Sequence, residues 1–255
     1  MQIVFHERFH KVYTGDPAAA SGRLKPVERS LRAQGYEFVE PEPAPLEAIA
    51  RVHDQLHVER IQRERKVGPL ALLAAGGALR AAELAFSGEP AFALIRPPGH
   101  HASADSCWGF CFFNNMAVAV ADLLARQAVG SALILDIDLH FGDGTQNILG
   151  HRRDVQYLHP EGRDSGAWTE DCRQRLDEAE PAEIIAVSAG FDRHIEDWGT
   201  TLFDEDYRTV GRWVGEWSAA HCGDRAPFVV LEGGYNHEAM AGAAVALCEG
   251  LEQAG

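Results

Sequence analysis

Six short apolar runs punctuate the chain, and most of them lack the polar alternation of a strand with one wet face. They are Ile3-Val4-Phe5, Ala91-Phe92-Ala93-Leu94-Ile95, Ala132-Leu133-Ile134-Leu135, Val155-Gln156-Tyr157-Leu158, Ile184-Ile185-Ala186-Val187 and Phe228-Val229-Val230-Leu231. A continuous run of this length is what a parallel strand covered on both faces requires. Between the runs the sequence reads as helix over roughly 68–87, 115–128, 204–221 (opened by Asp204) and 237–252. Strand, helix, strand in repetition predicts an α/β fold built on a doubly wound, mainly parallel sheet with helices on both faces. With 255 residues, 46% of them hydrophobic, the chain can bury a full core. Residues 1–255 therefore read as one domain.

Four polar islands follow four of the runs: Arg96-Pro97-Pro98-Gly99-His100-His101, Asp136-Ile137-Asp138-Leu139-His140, Gly190-Phe191-Asp192 and Glu232-Gly233-Gly234-Tyr235. Ligands of parallel sheets bind outside the carboxyl ends of the strands, so these segments converge on one rim. Asp138, His140 and Asp192 match the ligand types and number of a catalytic zinc ion, which keeps a fourth position for water or substrate. Asp138 and His140 are two residues apart just past a strand, and an extended backbone there points both side chains to one face. The plainer role, capping a helix that starts near Gly142, suits Asp143 better than this pair. His100, His101 and Tyr235 remain for proton transfer and polarisation. Together these residues point to metal-assisted hydrolysis of an amide.

The formal net charge of −15 argues against nucleic acid as a ligand. It favours cationic partners such as lysine side chains or polyamines, although an acidic surface also serves solubility alone. Cys107, Cys111, Cys172, Cys222 and Cys248 are odd in number and scattered, as expected of a reducing, cytoplasmic setting. The C-x3-C spacing of Cys107 and Cys111 has no second pair and reads as packing. Met1-Gln2-Ile3-Val4-Phe5 is too short for a signal peptide, and no apolar run approaches the roughly 20 residues of a membrane span. The chain is expected to be soluble, with no membrane partner. Glu40 to Pro45 (Glu-Pro-Glu-Pro-Ala-Pro) reads as a rigid surface connector.

Five strings in fixed order carry a family resemblance: Arg96 to Ala102 (RPPGHHA), Gly109 to Asn115 (GFCFFNN), Asp136 to Gly144 (DIDLHFGDG), Ser188 to Asp192 (SAGFD) and Leu231 to Asn236 (LEGGYN). They resemble the histone deacetylase family, which includes bacterial acetylpolyamine amidohydrolases and acetoin-utilisation proteins, within the arginase/deacetylase fold. The likeness covers most of the chain from about Ala71 and, more loosely, the part through Val52-His53-Asp54. It implies a zinc-dependent hydrolase that removes acyl groups such as acetyl from lysine side chains or polyamines, with ferrous iron as the other metal an Asp2His set accepts. It implies Asp138, His140 and Asp192 as metal ligands, His101 as general base, and His100 as its electrostatic partner and acid. Asp136 and Asp143 would orient His100 and His101 respectively. Tyr235 would hydrogen-bond the substrate carbonyl, and Gly109, Phe110 and Gly234 would line the acyl-lysine tunnel.

The chain also departs from the family pattern. Phe141 stands where a second histidine or a glutamine is common. His159 and Pro160 fall where many members have Ser-Leu at a structural potassium site, which puts that ion in question. The stretches between Leu158 and Ile184 and between Arg60 and Leu72 are shortened, so the active-site loops should leave a shallow, open site. The aromatic wall opposite Phe110 then falls to Trp168 or Trp198, and an acidic gatekeeper for polyamines to Glu196 or Asp197. Two other classes stay in view. A two-manganese, arginase-like ureohydrolase needs an acid two residues past Asp192, where this chain has His194. A catalytically silent protein that binds acyl-lysine would have no need of His100, His101 and Tyr235 together.

Overall fold

The structure, a computed structural model, describes residues 1–253. Its centre is one all-parallel sheet of β1 (Gln2–Val4), β2 (Glu37–Val39), β3 (Ala91–Ala93), β4 (Ala132–Asp136), β5 (Val155–Leu158), β6 (Ile184–Ala189) and β7 (Phe228–Leu231). The strands lie side by side in the order β2-β1-β3-β7-β6-β4-β5. Registers such as Asp136↔Ser188 and Ala189↔Leu231 bring the ends of β4, β6 and β7 level. The helices are α1 (Lys25–Ala33), α2 (Leu46–Ala50), α3 (Gln55–Arg63), α4 (Gly68–Phe86), α5 (Asn115–Ala125), α6 (Asp143–Leu149), α7 (Ser165–Glu178), α8 (Asp204–His221) and α9 (His237–Gln253).

Right-handed crossovers dictate where these helices go. The steps β1 to β2, β5 to β6 and β6 to β7 run towards one edge of the sheet, whereas β2 to β3, β3 to β4 and β4 to β5 run towards the other. Opposite steps place their helices on opposite faces. The packing agrees: α1, α9, α8 and α7 touch in series, and α2 to α6 form a separate layer. The doubly wound, parallel α/β fold is thus the observed one. Every residue of β3, β4, β6 and β7 is buried, which explains why those runs carry no alternation.

The sequence reading passed over the edge strand β2, whose three residues pair on one side only and stay partly exposed. It also passed over α7, which has a single buried stripe of Trp168, Cys172 and Leu176 at four-residue spacing. One expectation needs correction. Helix α4, at 19 residues, is long and apolar enough to cross a membrane by length and composition. It packs on β1, β3, β7 and α5, and most of its residues are buried, so its apolarity is that of a core helix. The Glu40 to Pro45 connector is docked on that helix. The Ala44 N–H donates to the Leu72 carbonyl (2.8 Å), and Gly76 makes room for the Glu42 carbonyl.

Helices α8 and α9 approach closely because Gly250 carries no side chain; a Cβ there would strike the Arg208 carbonyl. Gly250→Ala is expected to lower unfolding stability by about 1–3 kcal/mol through overpacking. Urea titration should show a lower midpoint with an unchanged slope.

Candidate active site

The connections after β3 and β4 leave through α5 and α6 on one face, and those after β6 and β7 lead to α8 and α9 on the other. Four loops therefore part at the carboxyl edge of neighbouring strands and open a crevice. Asp138 and His140 come from the loop after β4, Asp192 from that after β6, His100 and His101 from that after β3, and Tyr235 from that after β7.

Asp138, His140 and Asp192 each offer a ligand atom, all within 4.8 Å of one another. The His140 Nδ1 lies 3.2 Å from Asp138 Oδ1 and 3.0 Å from Asp192 Oδ2. The convergence does not arise from an extended strand, as the sequence spacing suggested, because β4 ends at Asp136 and the ligands sit in a bend. The bend is held by its own carboxylates. Asp138 accepts from the N–H groups of His140 (2.9 Å) and Gly233 (2.8 Å), and Asp192 Oδ1 accepts from Leu139 N–H (3.0 Å).

The donor set fits a divalent cation. Asp192 is fully buried, and its Oδ2 has only the His140 Nδ1 nearby, 3.0 Å away without a hydrogen bond between them; buried carboxylate oxygens are rarely left so. Two glycines leave the space around the carboxylates: a Cβ at Gly233 would come within 2.6 Å of Asp138 Oδ2 and 2.9 Å of Asp192 Oδ2, and one at Gly190 would collide with Asp138. The electrostatics agree. Burial pushes the Asp192 carboxyl up and the charge of Asp138 adds to this, taking it to about 6. Burial also acts on Asp138, but His100 and His140 hold it well below the usual carboxylate range. The hydrogen bond to Asp138, with the close Asp192 carboxylate, lifts His140 to about 10. The two carboxylates thus draw positive charge onto His140 as a proton, which a bound divalent cation would have to displace.

The two adjacent histidines have separate carboxylate partners. His100 Nδ1 lies 3.1 Å from Asp136 Oδ2, and His101 Nδ1 lies 2.6 Å from Asp143 Oδ1. Burial depresses both imidazoles. In His100 that is outweighed by Asp138 and Asp136, so its pKa rises well above the ordinary value. In His101 burial and the neighbouring His100 prevail, and its pKa falls. One ring is held as the acid and the next as the free base.

Tyr235 is positioned by a residue that the sequence suggested for another task. Asp197, 8% exposed, accepts from the N–H groups of Tyr235 and Asn236 (both 2.6 Å) and of Trp198 (2.7 Å). It straps the β7 loop to the β6 loop and is no gatekeeper. Glu196 stays exposed, and its carbonyl accepts from Asn236 Nδ2. Trp198 stacks on the Tyr235 ring at 3.9 Å, with Phe110 edge-on at 6.0 Å. Trp168 is fully buried on the inner face of α7, so Trp198 is the aromatic that faces Phe110 across Tyr235. Burial pushes the Tyr235 phenol far above its usual range, with Asp138 adding to it. Gly109 has a φ of +56°, and a Cβ there would run into His101, so only glycine brings Phe110 this close. Gly234, with a φ of +116°, packs over Met240 and Phe191. The His140 side chain is 40% exposed, and Trp108, Phe141 and Trp198 flank the mouth as exposed aromatics.

Sequence reasoning missed several supporting residues. The Trp108 indole covers His101 at 4.0 Å and donates to Asp143 Oδ2 (2.8 Å); its place just before Gly109 was the available signal. Tyr157 donates to Asp136 (2.8 Å) while accepting from Gly142 N–H (2.9 Å). The fully buried Glu232 accepts from the N–H groups of Gly99 (2.6 Å) and His100 (3.1 Å), fixing the histidine turn. Arg23 is also fully buried and donates to the carbonyls of Glu232 (2.7 Å) and Gly234 (2.8 Å). No local pattern around Arg23 announces that role.

A protein-family model described as the histone deacetylase domain matches residues 18–162 and 165–251. A Methanothermobacter thermautotrophicus protein named "Probable deacetylase" is 31% identical over 91% of this chain and 85% of its own length. The histone deacetylase-like amidohydrolase of Pseudomonas aeruginosa is 30% identical over 92% of this chain and 78% of its own. The acetylpolyamine amidohydrolase of Mycoplana ramosa is 35% identical over 65% of this chain and 58% of its own. The crystal structure of the HDA15 HD domain superposes with a TM-score of 0.84, covering 99% of this chain and 93% of that one at 23% identity. The fold and its rim of carboxylates and histidines define a hydrolase of the arginase/deacetylase type. Within that type the chain belongs to the histone deacetylase family.

Two outcomes are expected. Burial raises Glu232 from 4.5 to about 7, so the folded state binds the extra proton and loses stability as pH rises through that window. Glu232→Gln removes the titration. Its stability relative to the wild type should grow between those pH values by on the order of 3 kcal/mol, then level off in thermal scans. Asp197→Ala leaves three N–H groups without their acceptor and should cost on the order of 3 kcal/mol. Trp198 fluorescence should change as the stack on Tyr235 loosens.

Proposed function

We propose that the protein is a metal-dependent deacylase that hydrolyses the amide of N-acylated lysine side chains or acylated polyamines, acetyl being the first acyl group to test. The observation that carries this reading is the pair His100 and His101. They are adjacent, each is oriented by its own carboxylate, and their pKa values are pushed in opposite directions beside a cluster of metal ligands. Asp138, His140 and Asp192 would hold zinc, with ferrous iron the alternative for the same donors. A divalent ion there supplies Lewis acidity towards the amide carbonyl and the attacking water.

The chain's own residues do the remainder. His101, with Nδ1–H on Asp143, presents Nε2 to take the water proton. His100, charged between Asp136 and Asp138, steadies the negative charge that develops and has the proton that the leaving amine needs. The Tyr235 phenol keeps its proton and donates to the carbonyl oxygen as charge builds there. Phe110, Tyr235 and Trp198 offer apolar faces to the methylene chain of a lysine or polyamine. The acidic surface draws a cationic substrate. Names of relatives support amide hydrolysis, and one of them names acetylpolyamine. The free thiols suit a cytoplasmic setting.

With zinc-loaded enzyme, acid release from acyl-lysine peptides and acetylated polyamines should be measurable. Tyr235→Phe should lower kcat about 10²–10³-fold with KM nearly unchanged. His101→Ala should abolish turnover, and a chelator should do so reversibly. Metal-replete protein that binds acyl-lysine but releases no acid from any chain tested would leave the binding-protein reading instead.

A further inference from the structure

We propose that Arg193 is a positioning residue for the metal site: its guanidinium is a built-in cation that fixes the Asp138–His140 loop and makes the site independent of any bound monovalent cation. The proposal rests on the reading of Asp138, His140 and Asp192 as metal ligands.

Arg193 is 6% exposed, and its fork is spent on main-chain oxygens. Nε donates to the Asp138 carbonyl (3.0 Å), and the NH2 group donates to the carbonyls of Leu139 (3.2 Å) and Pro160 (3.4 Å). The His159 Nε2 lies 3.1 Å from the same Asp138 oxygen and 3.5 Å from the Arg193 NH2 group. The Trp168 indole donates to the Pro160 carbonyl (3.0 Å), and its ring lies 5.7 Å from the guanidinium carbon. Three loops, those after β4, β5 and β6, thus meet on one charged group.

Buried carbonyls that converge from separate loops must find donors or a cation. A guanidinium supplies both, because it is planar, multiply donating and never loses its charge in a protein. Asp192 and Arg193 grip the same loop from two sides: the Asp192 carboxylate accepts the Leu139 N–H, and the Arg193 fork takes the Leu139 carbonyl. The sequence left a potassium ion in question at His159 and Pro160. The group that now joins the Pro160 carbonyl to the ligand loop is the side chain that follows the metal ligand Asp192. A cation tethered by the chain is never diluted away, so the loop should keep its shape whatever salt surrounds it.

Zinc affinity by chelator competition and thermal midpoint, compared in potassium, sodium and choline chloride at equal ionic strength, test this. For the wild type both quantities should be the same in all three salts. Arg193→Ala in choline should bind zinc about 10–100-fold more weakly, the range seen when a group that supports a metal ligand is lost. Potassium or guanidinium ion should restore much of that affinity. Wild-type affinity that rises saturably with potassium but not with choline overturns the proposal, as does an Arg193→Ala variant that binds zinc as tightly as the wild type in choline. Should that variant not fold in any salt, Arg193→Gln takes its place. It keeps length and a donor without the charge, so zinc binding weakened in choline and recovered in potassium is the supporting result and undiminished binding in choline the contrary one. A wild type that binds no divalent metal in any salt sinks the metal-site reading together with the proposal. Normal wild-type binding matched by the variants sinks only the role of Arg193.

Discussion

The structure is organised around two carboxylates that have been taken out of water. Asp138 and Asp192 are 1% and 0% exposed and within ligand distance of each other. Like charges so placed repel and are poorly solvated, so the surroundings must supply positive potential. They do so in every form the chain possesses: the His140 imidazole, the N–H groups of Leu139, His140 and Gly233, and the Arg193 guanidinium behind the loop. The glycines at 190 and 233 leave room for these contacts. A cluster arranged in this way offers a divalent cation two carboxylates and, once its proton is displaced, one imidazole.

From that cluster outwards, each reacting group is held by a second one. Asp136 and Asp143 orient the histidines, and Tyr157 and Trp108 in turn donate to those carboxylates. Asp197 and Arg23 fix the backbone that bears Tyr235, one through N–H groups and the other through carbonyls. Precision at the rim therefore comes from buried charged residues that bind main chain. The exposed aromatics around the mouth form a looser outer surface.

The sheet was legible in the sequence because parallel strands buried on both faces must be continuously apolar, and β4, β6 and β7 are. The site was legible because its ligands lie within a few residues of strand ends. The short helices α1 and α3 were passed over although Val27 and Leu31, and Val58 and Ile61, repeat at helical spacing; the rest of what escaped notice had a weaker local signal. Strand β2 is short and half wet, and α7 buries only three side chains. Arg23 acts on residues more than 200 positions away. As letters, Asp197 and Glu196 are equivalent gatekeeper candidates, and only the fold reveals that the partners of Asp197 are backbone N–H groups from another loop. Trp168 and Trp198 were equivalent candidates as letters. Position separates them, one in the core on the inner face of α7 and the other on Tyr235.

The strand order carries a consequence for how the protein comes into being on the ribosome. β7 is the last strand among the described residues, yet it lies in the middle of the sheet, between β3 and β6. Until it emerges, β2-β1-β3 and β6-β4-β5 are two half-sheets with no hydrogen-bonded neighbour in common. Its arrival joins them and, in the same step, delivers Glu232 to the histidine turn and Tyr235 to the rim. β7 is thus inserted as a keystone, and a nascent chain cut short of it carries the metal ligands on one half-sheet and the paired histidines on the other, with no strand to join the two. Pairings that late and that distant in sequence form slowly. The half-sheets wait with two open inner edges, which is the stage of biogenesis where chaperone protection matters most.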